Sequence, residues 1–447
     1  MDFKGKKVLI VGLARSGMAA IKVLHQLGAE LTLSESKPKD QIKELPLLEE
    51  LGVEVVDQSM EVADRKFDLC VKNPGVPYRA PFVVRLEENG TKVITEIELA
   101  FQVAKPQHFI GITGSNGKTT TTTLVYEILE KEYGSKAHLC GNIGIPLCEI
   151  VMNENLLEEG GHYIALEISN FQLVNIDKFR PEAATILNLS PDHLDVMGSL
   201  ENYYKSKTEI YRNMKEGDVF VLNTDDAVLM EYTEKYPIPC TVQTFSLDRT
   251  DTDSCIKDGM MFIGGEPVLP MESIHLVGKH NLQNVMTAVS LCKAAGVSNE
   301  HIKEAVEQFR GVEHRIEYVR ELNGVKYYND SKATNTDAAI TALRAFDHGV
   351  ILLVGGFDKG LSMDPVKEHL GCVKKVIGFG ACGPRLVEEL VGDDGIVVEN
   401  LEQAVNAAQE LVVPGDTVLL SPTTSSFDQY KGFEARGDHF KQLVNAL

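Results

Sequence analysis

HFIGITGSNGKTTTTTLVYEIL, residues 108–129, is the stretch on which the reading of the chain turns. Residues 109–113 have the apolar character of a short buried strand, 114–117 form a glycine-bearing loop, and a helical pattern starts at Lys118. Such a loop feeding a helix N-terminus aims several backbone N–H groups at one point, and the helix dipole adds partial positive charge there. Phosphate binds at points of this kind. Lys118 supplies a charge for the outer phosphates of a nucleotide, and the Thr119 hydroxyl can reach a magnesium ion riding on them, so the stretch reads as an ATP site, with an ordinary strand-to-helix turn as the alternative. The glycines fall at 111, 114 and 117, with Ile112 where the strict phosphate-loop pattern has its first glycine, so this is a variant. The five threonines at 119–123 are poor helix formers because β-branching stiffens χ1, so something other than propensity must hold that turn.

Bulk composition bounds the remainder. A length of 447 residues corresponds to about three domains. Charged residues at 24% and hydrophobic ones at 43% place the chain in the globular class, and no apolar run is long enough to cross a bilayer. The opening MDFKGKKVLIVG passes directly into a strand pattern and offers no signal peptide, so a cytoplasmic protein is expected. The eight cysteines show neither a C-x-x-C pair nor a His-Cys cluster, which fits a reducing compartment. A formal net charge of −21 repels nucleic acid and anionic membranes, and neither is expected as a partner.

Residues 1–96 open with KKVLIVGLARSGMAAIKVLHQLGAELTLSES, a strand, a glycine turn, a helix and a second strand ending near Glu35. This looks like a dinucleotide-binding βαβ start in which the middle glycine of G-x-G-x-x-G is replaced, giving Gly12, Ala14 and Gly17. A methyl at Ala14 argues for a nucleotide held differently from NAD. The strand FDLCVKNPGVP ends in Asn73, Pro74 and Gly75, a turn at the sheet's carboxyl edge.

Beyond the phosphate loop, YIALEIS at 163–169 is an apolar strand with Glu167 toward its end, read either as a metal-facing carboxylate or as a solvent-facing strand end. ATILNLSPDHLD places Asp192, His193 and Asp195 in a loop, and ENYYKSKTEIYRNM reads as a helix with Lys205 and Lys207. Residues 237–275 are β-like. A helix is expected from Asn281, with Asn281 and Asn284 either capping it or reading an adenine edge. From about Val312, strands again alternate with helices in a mainly parallel pattern, with Arg315, Asp330, Lys332, Thr334, Lys359 and residues 421–433 at strand ends.

Taken in order, GITGSNGKTTT, CGNIGIP, ALEISNFQL, ILNLSPDHLD, YYKSKTEIY, GKHNLQN, EHRIE, NDSKATN, GGFDKG and LLSPTTSSFDQYKGFEARG resemble the Mur ligases over nearly the whole chain. The resemblance implies a three-domain α/β protein. A Rossmann-like domain at 1–96 would bind the UDP-substrate, a phosphate-loop domain with a mainly parallel sheet at 97–311 would bind ATP, and a Rossmann-like domain at 312–447 would bind the amino acid. The implied activity is ATP-driven amide ligation: the carboxylate of UDP-N-acetylmuramoyl-L-alanine attacks the γ-phosphate, and D-glutamate's amine attacks the resulting acyl phosphate through a tetrahedral intermediate.

The resemblance also implies residue roles. Gly114, Ser115, Asn116, Gly117, Lys118, Thr119 and Thr120 would hold the ATP phosphates, with Thr119 on a first magnesium ion and Glu167 and His193 on a second. Lys207 matches the lysine this family carbamylates, which would turn a cation into an anion suited to two divalent ions and complete a catalytic set of Lys118, Glu167, His193 and Lys207. Asn284, Arg315 and Asp330 match adenine and ribose positions. The UDP-substrate side would comprise Leu13, Ala14, Arg15, Ser16, Ser36, Asn73, Gly75, Asn142 and His193, and the D-glutamate pocket Lys332, Thr334, Lys359, Ser426 and Phe433. A monomer is expected.

Two departures stand out. Thr423 and Thr424 occupy positions where relatives often have Ala and Cys, and the Asp-Asn-Pro-Arg motif of diaminoacid-adding relatives is absent. Folylpolyglutamate synthase shares the ATP loop but lacks a UDP-type first domain, which residues 1–96 supply. Ala14 counts against an NAD-dependent oxidoreductase, and a non-catalytic ATP-binding regulator would not need several donors converging on a metal.

Overall fold

The computed structural model describes residues 2–191 and 197–447. Its strands form three sheets, carried by two compact units, one of Met1–Met271 with Gln283–Val306 and one of Glu272–Leu282 with Glu307–Leu447.

In the first unit, β1 (Lys7–Val11), β2 (Glu30–Glu35), β3 (Glu54–Asp57), β4 (Leu69–Lys72) and β5 (Lys92–Thr95) make a parallel sheet in the order β3-β2-β1-β4-β5. The strands are near-continuous apolar runs because both faces are covered: Val8 and Ile10 enter one core cluster, Leu9 and Val11 another. The glycine pattern after β1 has a steric reason. Gly12 sits at φ +84°, and a Cβ on Gly17 would lie 2.3 Å from the Gly12 carbonyl oxygen, whereas position 14 opens the helix Ala14–Gln26 and tolerates its methyl.

The second sheet comprises β6 (His108–Thr113), β7 (Ala137–Gly141), β8 (Tyr163–Glu167), β9 (Ala183–Ile186), β10 (Val219–Asn223), β11 (Thr241–Phe245), β12 (Ser254–Lys257), β13 (Met260–Ile263) and β14 (Glu266–Pro270). Their order is β14-β13-β12-β11-β10-β9-β6-β8-β7, parallel from β7 through β12 and antiparallel at β12-β13-β14. Strand β8 stops at Glu167, two residues before the sequence pattern suggests, because Ser169 and Gln172 form a capping box that starts a short helix. The helix expected from Asn281 begins at Lys279. The threonine run lies in the helix Lys118–Tyr133, where Thr120, Thr121 and Thr122 are buried and the Thr122 hydroxyl donates to the Lys118 carbonyl at 2.8 Å. Burial of this face outweighs poor propensity there, and the back-bond satisfies the Thr122 hydroxyl inside the core.

The second unit holds β15 (Glu317–Leu322), β16 (Val325–Asn329), β17 (Val350–Gly355), β18 (Val373–Phe379), β19 (Ile396–Val397) and β20 (Thr417–Leu420), in the order β15-β16-β20-β17-β18-β19. Only the β15-β16 pairing is antiparallel. Among the described residues no helix is long and apolar enough to cross a membrane.

One core cluster runs continuously from the first sheet into the second, and Glu96 is buried where they join. Its carboxylate accepts the backbone N–H of Cys148 at the start of the helix Leu147–Asn153. Burial, with a smaller push from Glu149, raises its pKa from the ordinary 4.5 to about 7. A carboxyl group that holds its proton more tightly when folded contributes stability at low pH and loses it as pH rises through the folded value. Glu96→Gln should therefore gain on the wild type between about pH 5 and 8, by on the order of 2 kcal/mol, in thermal or urea unfolding followed against pH. Parallel curves over that window would contradict this.

Candidate functional site

Strand register brings the site together. Ile112 pairs with both Glu167 and Thr185, and Gly141 pairs with Glu167, so β6, β7, β8 and β9 reach the carboxyl edge of the sheet at one level. The chain segments leaving those strands meet there, where open α/β sheets bind ligands.

The loop from Gly114 to Gly117 is clamped from the β9 side. Backbone N–H groups of Ser115 and Asn116 donate to the carbonyl and side-chain oxygens of Asn188, at 3.0 and 2.9 Å. The Ser115 hydroxyl donates to the Ser190 carbonyl at 2.8 Å and accepts the Ser190 N–H at 2.9 Å, and Tyr203 adds a hydroxyl contact at 3.3 Å. Gly114 and Gly117 have no room for a side chain: a Cβ would meet Leu187 at 2.9 Å or the Asn284 side-chain oxygen at 2.4 Å. Asn284, a sequence candidate for adenine contact, is thus pressed against the phosphate loop. Thr119 is half-buried and Thr120 buried in the first helical turn.

Lys118 and Lys207 both donate to the Gly114 carbonyl, each at 2.9 Å, and Lys118 also reaches the Ser115 carbonyl at 2.9 Å. Lys207 is 1% exposed and lies 4.6 Å from the Tyr203 ring centre, whereas Lys205, two residues away on the same helix, is exposed. Two ammonium groups at one carbonyl repel each other, and an anion placed between them is stabilised by both. Glu167 is likewise only 1% exposed; one carboxylate oxygen accepts from the Asn142 amide at 2.8 Å, and the other finds no donor among the described residues. A buried carboxylate oxygen left without a donor suits a cation ligand. The contact of Asn142 is with Glu167, and His193 lies outside the described residues.

At the first sheet's carboxyl edge, Glu35 turns inward. It accepts the N–H groups of Leu13, Ser36 and Lys37, which together hold its pKa below the usual range against the opposing effect of burial. Asn73 donates to the Ser16 hydroxyl at 2.9 Å and accepts the Gly75 N–H at 2.9 Å. Leu13, Ala14 and Arg15 line a cavity of about 590 Å³ with Lys22, Lys37 and Lys43.

In the second unit, Asp330 follows β16 and is buried, accepting the Ser421 hydroxyl at 2.8 Å and the Ile316 N–H at 3.2 Å. Burial pushes its pKa up to about 7, partly opposed by those bonds and by Arg315 and Arg436. Lys359 donates to the Thr334 carbonyl at 3.0 Å, Lys332 lies 5.7 Å from the Phe433 ring centre, and Ser426 is buried with its hydroxyl lacking a partner among the described residues. Arg436, fully buried, was not singled out by the sequence reading. Its guanidinium donates to the carbonyls of Ser331, Gly355 and Thr424 and to the Ser331 hydroxyl, tying together the three loops that carry these side chains. Thr423 and Ile316, both β-branched, sit at φ +65° and +44°, a strained arrangement concentrated in these loops.

A family model described as the Mur ligase middle domain matches residues 112–292, and one described as the Mur ligase, glutamate ligase domain matches residues 314–424. The chain is 42% identical to the UDP-N-acetylmuramoylalanine--D-glutamate ligase of Geobacillus sp. (strain WCH70), over 100% of this chain and 98% of the relative. The chain belongs to the Mur ligase family. A Mur ligase relative of the same description from Bacillus subtilis (strain 168) is 42% identical over 98% of this chain and 97% of its own. The solved MurF ligase of Thermotoga maritima in complex with ADP matches with a TM-score of 0.56 at 17% identity, covering 100% of this chain and 97% of that one. At that identity the likeness speaks to the fold, and the three-sheet, mainly parallel α/β architecture of this Mur ligase agrees with it.

Gly117→Ala should weaken ATP binding at least about tenfold, since the left-handed backbone at φ +83° disfavours a side chain and the methyl displaces Asn284. Calorimetric titration of the folded variant checks this; wild-type affinity would show that the close contact is irrelevant to the nucleotide.

Proposed function

We propose that this Mur ligase is an ATP-dependent amide ligase that joins D-glutamate to UDP-N-acetylmuramoyl-L-alanine in the cytoplasm, acting as a monomer during peptidoglycan precursor synthesis. The observation that carries the reading is full-length identity of 42% to relatives named for that reaction. The reading is supported by the meeting of Lys118 and the unmodified Lys207 at one carbonyl, on the sheet edge where Glu167 is buried.

In this reading residues 1–96 hold the UDP-substrate, 97–311 hold ATP and 312–447 hold the amino acid. The loop at 114–117 with Thr119 and Thr120 cradles the triphosphate, and Lys118 offsets the charge that builds on the γ-phosphate during attack by the substrate carboxylate. ADP leaves, and the resulting acyl phosphate is attacked by D-glutamate's amine, giving a tetrahedral intermediate that loses a proton and collapses to amide and inorganic phosphate. Asn284, Arg315 and Asp330 take the adenine and ribose. Leu13, Ala14, Arg15, Ser16, Ser36, Asn73 and Gly75, with Asn142 and His193, take the uridine-nucleotide sugar. Lys332, Thr334, Lys359, Ser426 and Phe433 receive the amino acid, whose two carboxylates call for this density of donors. Thr119, Glu167 and a carbamylated Lys207, with His193, fit two magnesium ions by donor chemistry, and the Glu167 oxygen that finds no donor among the described residues favours a cation at that point. Bound there, the ions would supply charge neutralisation for phosphoryl transfer.

The direct test offers magnesium, ATP, UDP-N-acetylmuramoyl-L-alanine and individual amino acids, and follows phosphate release with product mass; D-glutamate alone should support turnover, and preference for another amino acid would overturn the acceptor. Lys207→Ala should lose at least about a hundredfold in kcat and partly recover with added short-chain carboxylic acids. Full activity without them would remove the carbamate from the account. Lys359→Ala should raise the KM for D-glutamate about tenfold, the scale of a charged hydrogen bond, with little change for ATP. Equal shifts in both constants would contradict its placement.

A further inference from the structure

Lys72 closes β4 at a position where a long basic side chain ordinarily runs out to water, yet it is 1% exposed. Val11 and Thr95 flank it in the sheet, and alternation along the strand sets it on the same face as Cys70, which packs with Leu9, Phe82 and Val83 in a separate apolar cluster. Glu87, on the helix Pro81–Glu88 covering that face, and Cys70 are the titratable groups whose charge acts on it. Burial in these surroundings lowers its pKa to about 8. Retaining a buried ammonium among apolar side chains is costly unless its hydrogen bonds are used.

Those bonds close a turn. The Lys72 ammonium donates to the carbonyls of Val76 at 2.8 Å and Asn73 at 3.3 Å. The Asn73 carbonyl also receives the Val76 N–H at 3.0 Å, and its side-chain oxygen receives the Gly75 N–H, so residues 73–76 are fixed from both ends. From that turn the Asn73 amide crosses to the Ser16 hydroxyl in the first turn of the helix Ala14–Gln26, and a Cβ on Gly12 would lie only 3.1 Å from the Asn73 Cβ. The two segments at the first sheet's carboxyl edge are therefore held in one arrangement through Asn73, and Asn73 is held by the ammonium behind it.

We infer that Lys72 is a positioning residue for the nucleotide-sugar site: by tying the carbonyls of Asn73 and Val76 it sets Asn73 against Ser16 and so fixes the loop that receives the uridine nucleotide. The inference rests on the functional reading of that edge given above. It separates stability from affinity. Lys72→Met keeps the length of the stem and removes a buried charge, so the unfolding midpoint should hold or rise. The same variant should raise the KM for UDP-N-acetylmuramoyl-L-alanine about tenfold, the scale of losing a charged hydrogen bond, and weaken directly titrated uridine diphosphate similarly, with kcat and the KM values for ATP and D-glutamate unchanged. Lys72→Gln, which keeps a donor on a shorter stem, should fall between the two and serves as the comparison if the Met variant folds poorly. An unchanged KM and uridine diphosphate affinity, or a parallel rise in all three KM values with a lower unfolding midpoint, would overturn the inference. A wild-type protein that fails to turn over the UDP-substrate would defeat the functional reading instead, whereas an active wild type with a kinetically identical Met variant defeats only the role of Lys72.

Discussion

The carbonyl oxygen of Gly114 is the point on which the central site depends, because two lysine side chains, Lys118 and the unmodified Lys207, are directed to it from two different helices. That convergence requires the loop to be rigid, and rigidity comes from β9, whose continuation through Asn188 and Ser190 holds the Ser115 and Asn116 N–H groups. It also requires β6 to lie between β8 and β9, which the parallel register provides. A displacement of β8 would move Glu167 away from the edge where the lysines meet. The sheet order is thus part of the chemistry.

Each candidate binding edge keeps a group that a purely stable protein would replace. Lys207 and Glu167 are buried at the phosphate loop, Lys72 behind the first sheet's turn, and Asp330 and Arg436 in the second unit. Burying charge is unfavourable without full hydrogen bonding, and here the bonds go mainly to backbone groups of the loops that carry the candidate site residues. Strain is stored in the same places, at Ile316 and Thr423. Thr423 is β-branched and fully buried, so its left-handed backbone is held by the surrounding loop rather than by residue preference.

The phosphate loop, the parallel strands and the helix carrying Lys207 were legible because each follows from a local pattern: apolar runs, glycines at a strand end, and helical periodicity. The alteration at Ala14 was legible as a departure; the structure shows why Gly12 and Gly17 stay glycines, in the close approach of Gly17 to Gly12, while Ala14 is the first residue of its helix. Local pattern does not encode which of two nearby lysines is buried. Lys205 and Lys207 look alike in sequence, and only packing against Tyr203 and the Gly114 carbonyl separates them. Arg436 and Lys72 went unread for the same reason, since a single basic residue beside an apolar stretch reads as a solvated charge. Their partners are mainly backbone carbonyls, which leave no trace in a sequence. Glu35 sits where an acid would contact a ribose in a dinucleotide fold, but it turns inward to three N–H groups.

Transfer of the γ-phosphoryl group from ATP held at the clamped loop to a substrate carboxylate is the central chemical claim, and oxygen labelling tests it most directly. UDP-N-acetylmuramoyl-L-alanine carrying ¹⁸O in both carboxylate oxygens would be turned over with ATP and D-glutamate, and the inorganic phosphate analysed by mass or ³¹P NMR. An acyl phosphate sends one labelled oxygen into phosphate for each amide formed and leaves the other in the amide carbonyl. Unlabelled phosphate accompanying amide formation would contradict the account.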